Sequence, residues 1–279
     1  MTGTVDNVER RTSIVNCSVS EDNESLKVRV SGPNNAPTLI YLPGLHGDWT
    51  LVRGFRDAFN GRVRFVELTY PRSLQWSLDD YALGVERELT KQGIMSGWLL
   101  GESFSSQVVW TLIARGNFKV EGAILAGGFV RYPMRFVAAA MQSIMPRIPV
   151  AGLRAMLRSY AWIARFRYRK SLPDLQSLNE FVSRRTELDW QAMTFRVGLL
   201  RQNDPREIAR NTRIPVYALT GLFDPVVPWF GVKPWLRKYC PGFRGSRVIG
   251  RGDHVVLGTA PEAAVEQVLQ WMGRQEDCP

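Results

Sequence analysis

Short continuous apolar runs recur along the chain, separated by segments in which apolar residues return every three or four positions. "TLIYLPG" (38–44), "VRFVELTYP" (63–71), "SGWLLGES" (96–103), "VEGAILAGG" (120–128), "IPVYALTG" (214–221) and "SRVIG" (246–250) read as strands. Residues 12–32 read as two further strands around a polar turn. "LVRGFRDAFNG" (51–61), "SLDDYALGVERELTKQG" (77–93), "FSSQVVWTLIARGN" (104–117) and "PEAAVEQVLQWMGR" (261–274) carry helical spacing. Their ends agree with helix chemistry: Ser77 and acids at one start, Pro261 at another, Gly61 and Gly93 after the ends. Buried-type strands alternating with helices predict an α/β fold, a mostly parallel, doubly wound sheet covered on both faces.

Between residues 131 and 210 the alternation stops. That stretch shows no strand pattern, only helical spacing punctuated by Pro133, Pro146, Pro149, Pro173 and Pro205. It predicts a helical insertion at 131–210 in a core built from 1–130 and 211–279. The net charge of +10 changes this picture, because the insertion holds 14 Arg and one Lys against six acidic residues, nearly the whole excess. A basic segment of this kind admits a nucleic-acid binder, but no nucleic-acid module signature accompanies it. With 279 residues, 45% of them hydrophobic, the chain suffices for one large domain with an insertion. No apolar run approaches the roughly 20 residues that cross a bilayer. The first residues, "MTGTVDNVERRTS", lack a signal-peptide layout. Cys17, Cys240 and Cys278 are odd in number and widely spaced, which suggests neither a disulfide framework nor a metal site. Together these features lead to the expectation of a cytoplasmic protein.

In a parallel α/β sheet, ligands collect at the carboxyl ends of the strands. Ser103, Asp224 in "TGLFDPVVP" and His254 in "GRGDHVVL" all fall there. Each has an ordinary reading: Ser103 as a helix N-cap, Asp224 as a turn residue before Pro225, His254 as a loop histidine. Taken together they describe a known chemistry. Serine is a weak nucleophile until an imidazole takes its proton, and the imidazole needs a carboxylate to hold its tautomer. His46 and His254 are the two histidines of the chain, so few alternative bases exist.

The order strand–Ser–helix, strand–Asp, strand–His resembles the α/β-hydrolases with a helical cap, over roughly residues 25–275. "GESFS" (101–105) is similar to that family's nucleophile elbow, G-x-S-x-G, with Ser105 in place of the second glycine. "GLFD" (221–224) matches the family's acid position after the cap, and His254 its base position. The resemblance implies Ser103 as nucleophile, His254 as base and Asp224 as orienter, with Asp253 rejected because it adjoins His254 in sequence. It also implies an oxyanion hole from the N–H groups of Phe104 and of Leu45 in "LPGLHGD". His46 reads as a loop-shaping residue beside the pocket or a substrate contact, and Glu102 as local support for the elbow. A serine nucleophile points to acyl transfer to water, as ester, thioester or amide cleavage. No metal or organic cofactor is implied.

Within the insertion, apolar residues including Trp162 and Phe166 are candidates for an acyl pocket, against the plainer reading of packing to the core. Arg154 and Arg158 lie four apart and share a helix face. They suit a solvated basic face, an acidic carrier protein, an anionic substrate or an anionic membrane surface. The arginine-bearing insertion is similar in charge and helix position to that of the pimeloyl-carrier-protein methyl ester esterases, a resemblance that implies docking of an acidic partner there. The expected function is therefore a carboxylic ester hydrolase acting on a small acyl ester. A non-catalytic ligand-binding protein on the same scaffold and a docking protein that uses the basic insertion are the alternatives.

Overall fold

The computed structural model of the chain describes residues 25–167 and 179–273. Its centre is a seven-stranded sheet in the spatial order β1-β3-β2-β4-β5-β6-β7. The strands are β1 (Lys27–Ser31), β2 (Thr38–Leu42), β3 (Arg64–Thr69), β4 (Ser96–Glu102), β5 (Lys119–Ala126), β6 (Val216–Gly221) and β7 (Phe243–Ile249). β1 runs antiparallel to β3, and every other pairing is parallel. The strand expected before residue 25 lies outside the described residues.

Side-chain alternation divides the core in two. Ile40, Leu42, Leu99, Ala123, Leu125, Val216 and Ala218 face one layer, which includes α2 (Leu78–Lys91) and α3 (Ser105–Arg115). Leu39, Tyr41, Trp98, Leu100, Ile124, Tyr217 and Leu219 face the other, which includes α1 (Arg53–Ala58) and the closing helix Pro261–Gly273. Both faces of the inner strands are therefore dry, which explains why those strands read as continuous apolar runs. The start of α2 is set by a capping box: the Asp80 N–H donates to Ser77 Oγ, and the Ser77 N–H donates to the Asp80 carboxylate.

Between β5 and β6 the described residues are helical, in α4 (Arg135–Ile144), α5 (Val150–Arg167), a segment ending at Ser183, α6 (Glu187–Gln202) and α7 (Arg206–Asn211). The Trp190 indole of α6 donates to the carbonyls of Met145 and Ile148, pinning the turn between α4 and α5. Both ends of the insertion are tied to α3 through Gln107. Its amide donates to the Val130 carbonyl at 2.9 Å and accepts from Asn203 Nδ2 at 2.9 Å. Beyond β6 the sequence pattern shows no helix, yet α8 (Trp229–Tyr239) forms there. Pro234 stands inside it and interrupts the expected spacing, while Val232 and Leu236 still bury. β7 begins at Phe243, three residues before the pattern indicates, because its first residues are only half-buried or exposed. The chain then closes through α9 (Val256–Thr259) and α10 (Pro261–Gly273).

Candidate active site

β4 ends at Glu102 and α3 begins at Ser105, so Ser103 and Phe104 alone make the turn. Ser103 sits at φ +50°, a left-handed conformation that costs a non-glycine residue on the order of 1–3 kcal/mol. Three hydrogen bonds hold it there. The Ser103 N–H donates to the Ala126 carbonyl at 2.9 Å, and the Ser103 carbonyl accepts from the N–H and hydroxyl of Ser106.

The turn is tight enough that a Cβ on Gly101 would lie 2.7 Å from Val109 Cγ2 and 2.8 Å from the Ser105 carbonyl oxygen. Gly101→Ala is therefore expected to push α3 off β4 and destabilise the fold by about 1–3 kcal/mol. The midpoint shift of a denaturant titration measures this, and an unchanged midpoint would show that the turn opens at no cost. Position 105, two residues after Ser103, is a serine whose hydroxyl has a use. It donates to the Pro43 carbonyl and shares a 2.6 Å hydrogen bond with the Tyr70 hydroxyl. Burial pushes the Tyr70 hydroxyl well above its usual range, so it stays a neutral partner.

Three loops at the carboxyl ends of β4, β6 and β7 converge. His254 Nε2 lies 2.9 Å from Ser103 Oγ, and His254 Nδ1 lies 2.8 Å from Asp224 Oδ2. A carboxylate can only accept, so Nδ1 carries the imidazole proton and Nε2 presents a lone pair to the serine hydroxyl. The Asp224 side chain is fully buried, and its other oxygen accepts from the N–H groups of Val226 and Val227. Asp253 points elsewhere, accepting from the Val255 N–H at 2.9 Å and from the Thr259 hydroxyl at 3.2 Å.

The loop after β2 lies against this turn. Pro43 is held by Ser105, and the His46 ring nitrogen Nε2 lies 3.3 Å from Glu102 Oε2. The Asp48 N–H donates to His46 Nδ1, so Nε2 carries the proton that Glu102 receives. Glu102 is 3% exposed and also accepts from the Tyr41 hydroxyl at 2.6 Å. Burial works to raise its carboxyl, but the hydrogen bonds from His46 and Tyr41 hold it below the usual carboxylate value. Its other oxygen, Oε1, is buried and has no hydrogen-bond partner among the described residues, so the carboxylate is held through Oε2 alone. His46 thus braces the loop from below, with its ring edge-on to Phe181.

No protein-family model and no curated protein matches the chain. Solved structures do. A hydrolase from Pseudomonas aeruginosa PA01 superposes with a TM-score of 0.74 at 14% identity, covering 91% of this chain and 96% of that one. An enol-lactonase from Burkholderia xenovorans LB400 gives 0.71 at 16% identity, with 89% and 96% covered. A thermophilic esterase from Thermogutta terrifontis gives 0.72 at 14% identity, with 89% and 93% covered. The chain has the α/β-hydrolase fold.

In this α/β-hydrolase fold the insertion residues singled out from the sequence have different surroundings. Arg158 is exposed, whereas Arg154 is half-buried and donates twice to the Arg185 carbonyl, at 3.2 and 2.6 Å. Trp162 is 62% exposed, and the Phe166 side chain lies outside the described residues. Several basic residues counted toward the insertion's charge have partners inside the protein. Arg131 and Arg206 pair with Asp204, Arg184 pairs with Glu180, and Arg185 and Arg196 are buried. The sequence reading passed over Arg185 and Arg196. The signal for Arg196 was present: it is the one charged residue in the run from Met193 to Leu200. Among the described residues no group of three or more His, Cys, Asp or Glu could hold a metal ion, and no helix is long and apolar enough to cross a membrane.

Proposed function

We propose that the protein is a serine hydrolase that cleaves a carboxylic ester or thioester through Ser103, His254 and Asp224. The observation that carries this reading is the unbroken line from Ser103 Oγ to His254 to the buried Asp224, 2.9 and 2.8 Å long, on a serine held at φ +50°. Ester and lactone cleavage by fold neighbours, named as an esterase and an enol-lactonase, supports the same class.

In the proposed reaction Ser103 Oγ bonds to the acyl carbon as its proton passes to His254 Nε2. The carbonyl electrons move onto oxygen, which the N–H groups of Phe104 and Leu45 receive. The C–O or C–S bond then breaks, and the leaving alcohol or thiol takes the proton from His254. Water repeats the sequence on the acyl-serine and releases the acid. Asp224 stays ionised and stabilises the transient imidazolium. A fluorophosphonate probe tests the reading, with labelling expected at Ser103 and hydrolysis expected somewhere in a chain-length series of p-nitrophenyl esters. An unlabelled Ser103 would favour the non-catalytic binding scaffold instead.

The helices at 131–210 are proposed as a cap over this site, with its residual positive charge steering an anionic ester toward it. Arg158, exposed on α5, is the clean probe, since Arg154 has an internal role. Arg158→Glu is expected to lower kcat/KM a few-fold for an anionic ester and to leave a small neutral ester unchanged. Because steering acts on association, the loss should shrink as salt shortens the Debye length. An equal loss on both esters would assign Arg158 to cap packing.

A further inference from the structure

Arg196, on α6 of the insertion, is only 2% exposed. Its guanidinium donates to the Leu45 carbonyl and the Pro71 carbonyl, each at 2.7 Å, and to the Tyr81 hydroxyl at 3.1 Å. These partners are neutral, and Tyr70 and Tyr81 pack around the cation. Burying an arginine among neutral acceptors is an expensive way to stabilise a fold, since an apolar side chain of similar volume does as well or better. The loop is nevertheless shaped for it. Gly47 sits at φ +76°, and a Cβ there would lie 2.7 Å from Arg196 Nη1.

Arg185 reaches the same loop from the turn before α6. It is 3% exposed, donates to the His46 carbonyl at 3.4 Å and forms an ion pair with the Asp48 carboxylate. Burial works to raise the Asp48 carboxyl, but the Arg185 guanidinium and the Thr50 N–H hold it below its usual value. Arg154, from α5, in turn holds the Arg185 carbonyl. The insertion therefore grips residues 45, 46 and 48 from one side, while Ser105 and Glu102 of the elbow grip Pro43 and His46 from the other. The Leu45 N–H lies between two anchored carbonyls, those of Pro43 and Leu45.

We infer that Arg196 and Arg185 are positioning residues through which the insertion holds the oxyanion loop, so that the seating of the insertion sets turnover and not only substrate binding. This rests on the proposed role of Leu45 in the oxyanion hole. A donor displaced from the developing oxyanion loses transition-state stabilisation while ground-state binding is kept, so the effect belongs in kcat.

The test uses Arg196→Lys and Arg185→Lys in the full chain, which keep the cation but cannot reproduce the guanidinium fork. Active sites are titrated to completion with a fluorophosphonate, and kcat is expressed per titrated site so that any misfolded fraction drops out. Arg196→Lys is expected to lower kcat per site about 10- to 100-fold with KM within about twofold, since complete loss of one oxyanion donor costs on the order of 100- to 1,000-fold. Backbone amide exchange in residues 44–48 is expected to speed up in the same variant, and Arg185→Lys to show a smaller effect in both readouts. Fewer titratable sites at unchanged kcat per site, or a change in KM alone, would overturn the inference and leave the proposed function standing. A wild-type chain that the fluorophosphonate does not label would overturn both.

Discussion

Ser103→Ala is expected to abolish fluorophosphonate labelling and to lower kcat by about six orders of magnitude, with KM and fold retained. The size follows from the geometry. Ser103 Oγ is the atom His254 Nε2 faces, and without it no acyl-enzyme can form. Only the oxyanion donors and binding contacts would remain, and such remnants hold a modest rate above water. The substitution is small and leaves the backbone hydrogen bonds of the turn in place, since they run from the Ser103 N–H and to its carbonyl. Thermal melting should therefore be close to wild type. Turnover near the wild-type level would remove Ser103 from the chemistry and with it the proposed triad.

Asp224→Asn is expected to cost about 10,000-fold in kcat, and Asp253→Asn far less. The Val226 and Val227 N–H groups keep the oxygen of an amide at 224 on their side, so its N–H₂ group takes the place of the carboxylate oxygen that lies 2.8 Å from His254 Nδ1. The two donors cannot face each other, so the ring is driven to the tautomer with its proton on Nε2, where it cannot take one from Ser103. The charge that stabilises the imidazolium is lost as well. The backbone N–H groups of Val226 and Val227 can still donate to the amide oxygen, so the loop should hold. Asp253 serves the start of the short helix after His254 through Val255 and Thr259. Its amide keeps an acceptor for both, and the effect should fall on stability before turnover. Comparing kcat of the two variants, each corrected for folded fraction, decides the matter. A larger loss from Asp253→Asn would reassign the acid.

Much of the fold was legible because a doubly covered sheet leaves an imprint along the chain. β4, β5 and β6 each bury both faces, so each is a short apolar block, and the order of blocks and helices yields the βα alternation. The elbow was legible for a steric reason. Gly101 is needed where a Cβ would meet α3, and such needs are local in sequence. α8 was not legible: it holds Pro234, which a helix interior disfavours, and Val232 and Leu236 are its buried residues. Ser105 read as a departure from a glycine pattern, and only its contacts with Pro43 and Tyr70 show what its hydroxyl does.

The α/β class, and which serine, histidine and aspartate were candidates for one site, could be read from the chain alone, because propensity, burial pattern and turn sterics act over a few neighbouring residues. The sequence also located the positive charge, but not the use of each charge. The tertiary structure alone decided that Asp224 and not the adjacent Asp253 faces His254, that Glu102 braces His46, and that Arg154, Arg185 and Arg196 turn inward while Arg158 faces solvent. Those choices depend on which carbonyls and carboxylates come within about 3 Å of a side chain, the range over which a hydrogen bond has strength. Residues 45 and 196 meet only because the sheet brings the loop after β2 under α6, and no pattern within either segment records that meeting.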